Sequence, residues 1–196
     1  MASRSPQPKS WSRIWRGEPY VPMTPEERLR FLMRRVVYSP GAPVRAAILA
    51  GYDQERNYPE KWGQGADAYG RRVLNRWGRS VSRTGIETGL AAALQYEVRY
   101  IQCNCDGFGR RAMHALAMYF VTYNHEGKWV PNIPRVGSTV ATQYIALSWL
   151  PQGTKTVGEA TRGLPGQLAV GAAVNVWREF SPPLLKKLRK KLPIVN

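Results

Sequence analysis

The segment over residues 66–95 constrains the fold more than any other part of the chain. Stepping about 100° per residue puts Gly70, Leu74, Trp77, Val81, Gly85 and Thr88 on one side of a helix. Arg72, Arg76, Arg79 and Arg83 fall on the opposite side. A long helix with an apolar, glycine-bearing seam and a separate arginine stripe is therefore predicted. A glycine inside a helix costs roughly 1 kcal/mol against alanine, so Gly70, Gly78, Gly85 and Gly89 need a reason. The simplest is close approach of another helix, and Gly85-Ile86-Glu87-Thr88-Gly89 has the small-xxx-small spacing that allows it. Glu87, in the middle of that motif, argues against full burial in lipid.

The other segments are shorter but also mostly helical. Thr24-Pro25-Glu26-Glu27 supplies an N-cap, a proline at the first helical position and a glutamate three residues on, which is a capping box. Leu29, Leu32, Met33 and Val36 follow at helical spacing, and Ser39-Pro40-Gly41 should stop that helix. A small apolar helix is expected from Pro43 to Tyr52, and others over 109–119, 136–149 and 156–180. The last of these holds Leu168, Gly171, Ala172, Ala173 and Val174. Between them, Phe120 to Tyr123 and Lys128 to Val130 flank Asn124-His125-Glu126-Gly127 and read as one hairpin. The expected fold class is mainly α: a Gly/Ala-rich helical bundle with at most one small β-hairpin. Residues 1–22 read as an extended basic arm, residues 23–182 as the helical domain, and residues 183–196 as a basic amphipathic helix and tail. Pro6, Pro8, Pro19 and Pro22 keep the arm from forming a long helix, and Trp11, Ile14 and Trp15 are its candidate anchors.

Charge narrows the partners. Among 196 residues, 29 Lys+Arg face 13 Asp+Glu, a formal net charge of +16. Such a surface attracts polyanions: nucleic acid, anionic lipid or an acidic protein. The candidate contacts are the arginine stripe (Arg72, Arg76, Arg79, Arg83) and the tail residues Lys186, Lys187, Arg189, Lys190 and Lys191. The alternative for the stripe is an ordinary solvated helix face. The N-terminal stretch has no apolar core of signal-peptide length. The longest uncharged run, Val136 to Thr154, is diluted by Ser138, Thr139, Thr142, Gln143 and Ser148, so it is a weak candidate for a membrane span.

Chemical motifs are sparse. Cys103, Cys105, His114 and His125 match zinc in ligand count, but C-x-C with two distant histidines fits no common structural spacing. A loop thiol pair and two ordinary histidines are expected instead, since a bridge across one intervening residue is strained. Gly63-Gln64-Gly65-Ala66 echoes a dinucleotide loop without the strand that such a loop needs. No nucleophile elbow, H-E-x-x-H or phosphate-binding loop occurs. No catalytic residue, cofactor or metal is expected.

Several phrases in fixed order resemble a family of small, usually signal-peptide-bearing envelope proteins common in acidobacterial genomes. They are Thr24-Pro25-Glu26-Glu27-Arg28, Ala50-Gly51-x-x-Gln54, Trp62-Gly63-Gln64-Gly65, Tyr69-Gly70-Arg71-Arg72, Glu97-Val98-Arg99-Tyr100, Gly107 to Arg111, Phe120-Val121-Thr122 and Asn175-x-x-x-Glu179-Phe180. Together they cover about residues 24–182. The resemblance implies the cell envelope and attaches no activity. The chain departs from the pattern in lacking the signal and in carrying Val98 where proline is more usual.

The expectation is then a non-enzymatic, membrane-associated structural or accessory subunit. It would dock on other protein chains through its Gly/Ala seams and on an anionic membrane surface through its basic ends, in the envelope or on the cytoplasmic face. The alternative is a nucleic-acid-binding protein that uses the arginine stripe and the tail.

Overall fold

The structure, a computed structural model, describes residues 13–17 and 20–191. Helices dominate: α1 (Pro25–Met33), α2 (Gly41–Glu55), α3 (Ala66–Ala93), α4 (Phe108–Phe120), α5 (Ile133–Ile145), α6 (Val157–Arg162) and α7 (Leu164–Lys191). The strands are short: β1 (Arg13–Trp15), β2 (Tyr100–Gln102), β3 (Val121–Tyr123) and β4 (Trp129–Pro131). The mainly helical expectation holds. The hairpin forms where the sequence placed it, as the antiparallel pair β3–β4. The arm adds a second pair, β1 lying parallel to β2. Ile14 is buried there with Ile101, Met118 and Tyr123, so one of the three proposed anchors holds the arm to its own chain. Trp11 and the tail beyond Lys191 lie outside the described residues.

Local signals act as expected. The Glu27 amide donates to Thr24 Oγ1 at 3.2 Å, and the Thr24 amide donates to Glu27 Oε2 at 2.9 Å, closing the capping box of α1. The helix then widens into a π turn over Arg34–Tyr38 before Ser39. The helix expected over 156–180 is two helices. A second capping box, Thr156 with Glu159, starts α6, which ends at Gly163. α7 runs on through Pro182 and Pro183, so the basic tail segment continues that helix instead of forming a separate one.

Two helix groups build the body. α2 and α5 lie along α3, α4 lies along α7, and α5 joins the groups. Among the described residues, polar and charged side chains are buried about as often as apolar ones, and alanine supplies nearly half of the latter. The two apolar clusters are small, the second being Met23, Ala91 and Val98. Central α5 tolerates burial because its own backbone satisfies its hydroxyls. Thr139 Oγ1 donates to the Arg135 carbonyl at 2.9 Å, and Thr142 Oγ1 donates to that of Ser138 at 2.7 Å. Buried acids are each matched by an arginine: Asp53 by Arg76, Glu87 by Arg135, Glu97 by Arg99 and Glu179 by Arg111. Large apolar side chains are left on the outside of α2, α3, α4 and α7. No described helix is long and apolar enough to cross a membrane.

Candidate functional site

Helix α3 has the two faces read from its sequence, but the arginine face points inward. Arg72 is fully buried. Its Nε donates to the Tyr58 carbonyl at 2.8 Å, and one terminal nitrogen donates to that of Gly63 at 2.9 Å. It also bonds the Gln54 side chain, so it organises the loop between α2 and α3. Arg76 grips Asp53 with two bonds, Nε to Oδ2 at 2.6 Å and a terminal nitrogen to Oδ1 at 2.5 Å. Arg79 donates to Gln143 Oε1 at 3.2 Å. The expected solvent-facing stripe is thereby corrected: a polyanion cannot reach Arg72, and Arg76 is already paired.

The expected seam is not packed by this chain at its glycines. A Cβ added at Gly70, Gly78, Gly85 or Gly89 would meet nothing within 4 Å. Leu74 is 64% and Trp77 38% exposed, and Val81 is half-buried. No helix of the described chain comes within 4 Å of these Cβ positions, although Thr88 at the far end of the face is buried. The close approach occurs at Gly171 of α7, where a Cβ would collide with the Tyr119 ring of α4. Tyr119 is held there by a 2.9 Å bond between its hydroxyl and Thr139 Oγ1.

Between the π turn, α2, α3, α5 and α7 lies a cavity of about 290 Å³. Arg35, Arg45, Arg76, Arg79, Arg83, Arg135 and Arg178 line it, and Glu87 is the one carboxylate among its lining residues. Glu87 takes the Arg135 Nε at 2.8 Å. With Arg76 held by Asp53, none of the other five arginines forms an ion pair among the described residues. The electrostatic consequences follow. Burial would raise the Glu87 carboxyl, but Arg135, Arg35 and Arg83 hold it below the usual carboxylate value. Burial and then Arg76 lower the Arg79 guanidinium. Burial, followed by Arg35 and Arg135, pushes that of Arg178 down to about 9. Arg35 is lowered in the same way, with Glu87 as its one favourable neighbour.

Spacing on one helix groups Arg76, Arg79 and Arg83 in the sequence. It cannot group Arg35, Arg45, Arg135 and Arg178, which come from four other segments and meet only in the fold. The signal available was general: an excess of arginine beside helices with too few acids to neutralise it. Tail residues Lys186, Lys187, Arg189, Lys190 and Lys191 continue the α7 backbone, and their side chains lie outside the description.

The remaining candidates stay apart. Cys103 and Cys105, expected as free thiols, are joined in a disulfide, because the chain bends after β2 and brings their Cα atoms to 5.2 Å. His114 Nε2 lies 2.9 Å from the Ile101 carbonyl, and no group of three or more metal-capable side chains meets among the described residues. Gly63 and Gly65 follow a single 3-10 turn, Glu60–Trp62, instead of a strand. No family model, no curated protein and no solved structure matches the chain, so the functional reading rests on this geometry.

Proposed function

We propose that the chain is a non-enzymatic, membrane-associated structural or accessory subunit of a larger assembly. The observation that carries this reading is the outer face of α3. There Leu74 and Trp77 stand exposed beside glycines that nothing in the described chain covers. A glycine-bearing helix surface is what a helix of a partner chain can approach closely. Apolar side chains at helical spacing also lie open on α2 (Val44, Ile48, Tyr52). Isolated exposed apolar residues are ordinary, whereas rows of them mark surfaces that another apolar body covers. In this reading the basic tail supplies the contact with anionic headgroups, about 1 kcal/mol for each Lys or Arg near the surface. The resemblance to envelope proteins points the same way.

The test is fractionation of the tagged native protein, with high-salt and carbonate washes and nuclease treatment. Retention in the membrane fraction through both washes is expected. A protein found wholly in the soluble fraction would refute the reading. Release by nuclease alone would transfer the proposal to nucleic acid, contacted through the tail instead of the inward-facing stripe.

A further inference from the structure

The arginine cavity combines an excess of positive charge with donors that have no acceptor. We propose that it is a binding site for a phosphoryl group, carried by a small soluble molecule or by a phospholipid head. This goes beyond the docking reading, since it uses the inner side of α3.

Arg35, Arg45, Arg79, Arg83 and Arg178 face the cavity without an ion pair among the described residues. Like charges gathered in a partly buried site repel one another and lose hydration, so an unfilled cluster lowers stability. Two buried side-chain polar atoms lack a hydrogen-bond partner among the described residues: Arg79 Nε and Asn175 Nδ2. Both are N–H donors, and both residues line this cavity. The site therefore has more donors than acceptors and more positive than negative charge.

A phosphoryl group supplies both. It brings up to two charges and several terminal oxygens, and guanidinium forks match its geometry. A carboxylate brings one charge, and Glu87 already contributes one without balancing the cluster. A metal cation would be repelled. A nucleic-acid duplex does not fit a recess of about 290 Å³, which lies near the small end of ligand sites. Leu49, Val170 and Val174 also line the cavity. They give apolar contact to whatever carbon skeleton carries the phosphate. Arg76 and Arg135 are fixed by Asp53 and Glu87, which pre-orders two of the walls.

The experiment is thermal unfolding of the whole chain at fixed ionic strength, with inorganic phosphate against chloride. Glycerol 3-phosphate and phosphatidylcholine vesicles with or without phosphatidic acid follow as separate arms. Saturating phosphate should raise Tm by about 5 °C over chloride. Arg83→Gln should raise the Tm of the phosphate-free protein by relieving repulsion, and should weaken phosphate binding about tenfold or more. Arg79→Lys, which keeps the charge and loses the fork, should also weaken it. Arg110→Gln removes a charge from an exposed residue outside the cavity and should change neither property. Saturable glycerol 3-phosphate binding without preference for phosphatidic acid assigns a soluble ligand. A vesicle preference lost in Arg83→Gln but kept in Arg110→Gln assigns a lipid head. The proposal is overturned if phosphate stabilises no more than chloride, or if Arg83→Gln and Arg110→Gln weaken its binding equally.

Discussion

The inner side of α3 carries Arg72, Arg76, Arg79, Arg83 and Glu87, and its outer side carries Gly70, Leu74, Trp77 and Gly85. A soluble helix normally turns the second set inward and the first set out. Here the order is reversed, and the reason lies in the neighbours. Arg72 finds the carbonyls of Tyr58, Pro59 and Gly63 in the loop between α2 and α3, Arg76 finds Asp53, and Glu87 finds Arg135. Arg72, Arg76 and Glu87 each have a partner to meet, whereas Leu74 and Trp77 stay exposed. Amphipathicity fixed that α3 has two faces, and pairing chemistry chose which one is buried.

The comparison breaks most sharply at Glu87. Glu87→Gln keeps the shape and leaves Arg135 without its counter-charge amid other arginines. A loss of about 3–5 kcal/mol in chemical denaturation is expected. Because the folded carboxyl titrates below its ordinary 4.5, the stability it contributes is present above that value and is lost as pH falls through the folded one. The wild type should therefore lose stability on acidification below about pH 4.5 more steeply than Glu87→Gln. Equal acid profiles would show that the pair does not hold the inner side.

The next test sets an inner glycine against outer ones. Gly171→Ala drives a methyl into the Tyr119 ring and should cost roughly 2–3 kcal/mol. Gly85→Ala meets open space and should gain roughly 0.5–1 kcal/mol in the isolated protein. If Gly85→Ala destabilises the isolated chain, α3 is covered on its outer side in solution, and a second copy is the first candidate. The smallest effect on stability belongs to Leu74→Ala, within about 0.5 kcal/mol, since the side chain is mostly exposed. Its effect belongs to association instead: less protein should remain in the membrane fraction. An unchanged distribution would take Leu74 out of the proposed docking face.

Local elements were legible for local reasons. Thr24 and Glu27 cap α1 within four residues of chain, the Asn124 to Gly127 turn closes the hairpin, and the period of 66–95 gives α3 nearly to the residue. The second capping box, Thr156 with Glu159, is an equally local signal. The site was not legible in that way. Its cations come from the π turn, α2, α3, α5 and α7, and no spacing in the chain records that they converge. Likewise the close glycine contact belongs to Gly171, whose partner Tyr119 lies on a different helix, while the α3 glycines with the better motif touch nothing.

What the sequence determined by itself is therefore the set of helices, their caps, the two unlike sides of α3 and the strong positive charge. Each depends on residues a few positions apart, where backbone geometry alone sets the relation. What only the tertiary structure decided is which side of α3 is buried and where the arginines gather. Burial depends on the partners that distant segments bring, and a guanidinium can be buried wherever carbonyls and carboxylates meet it.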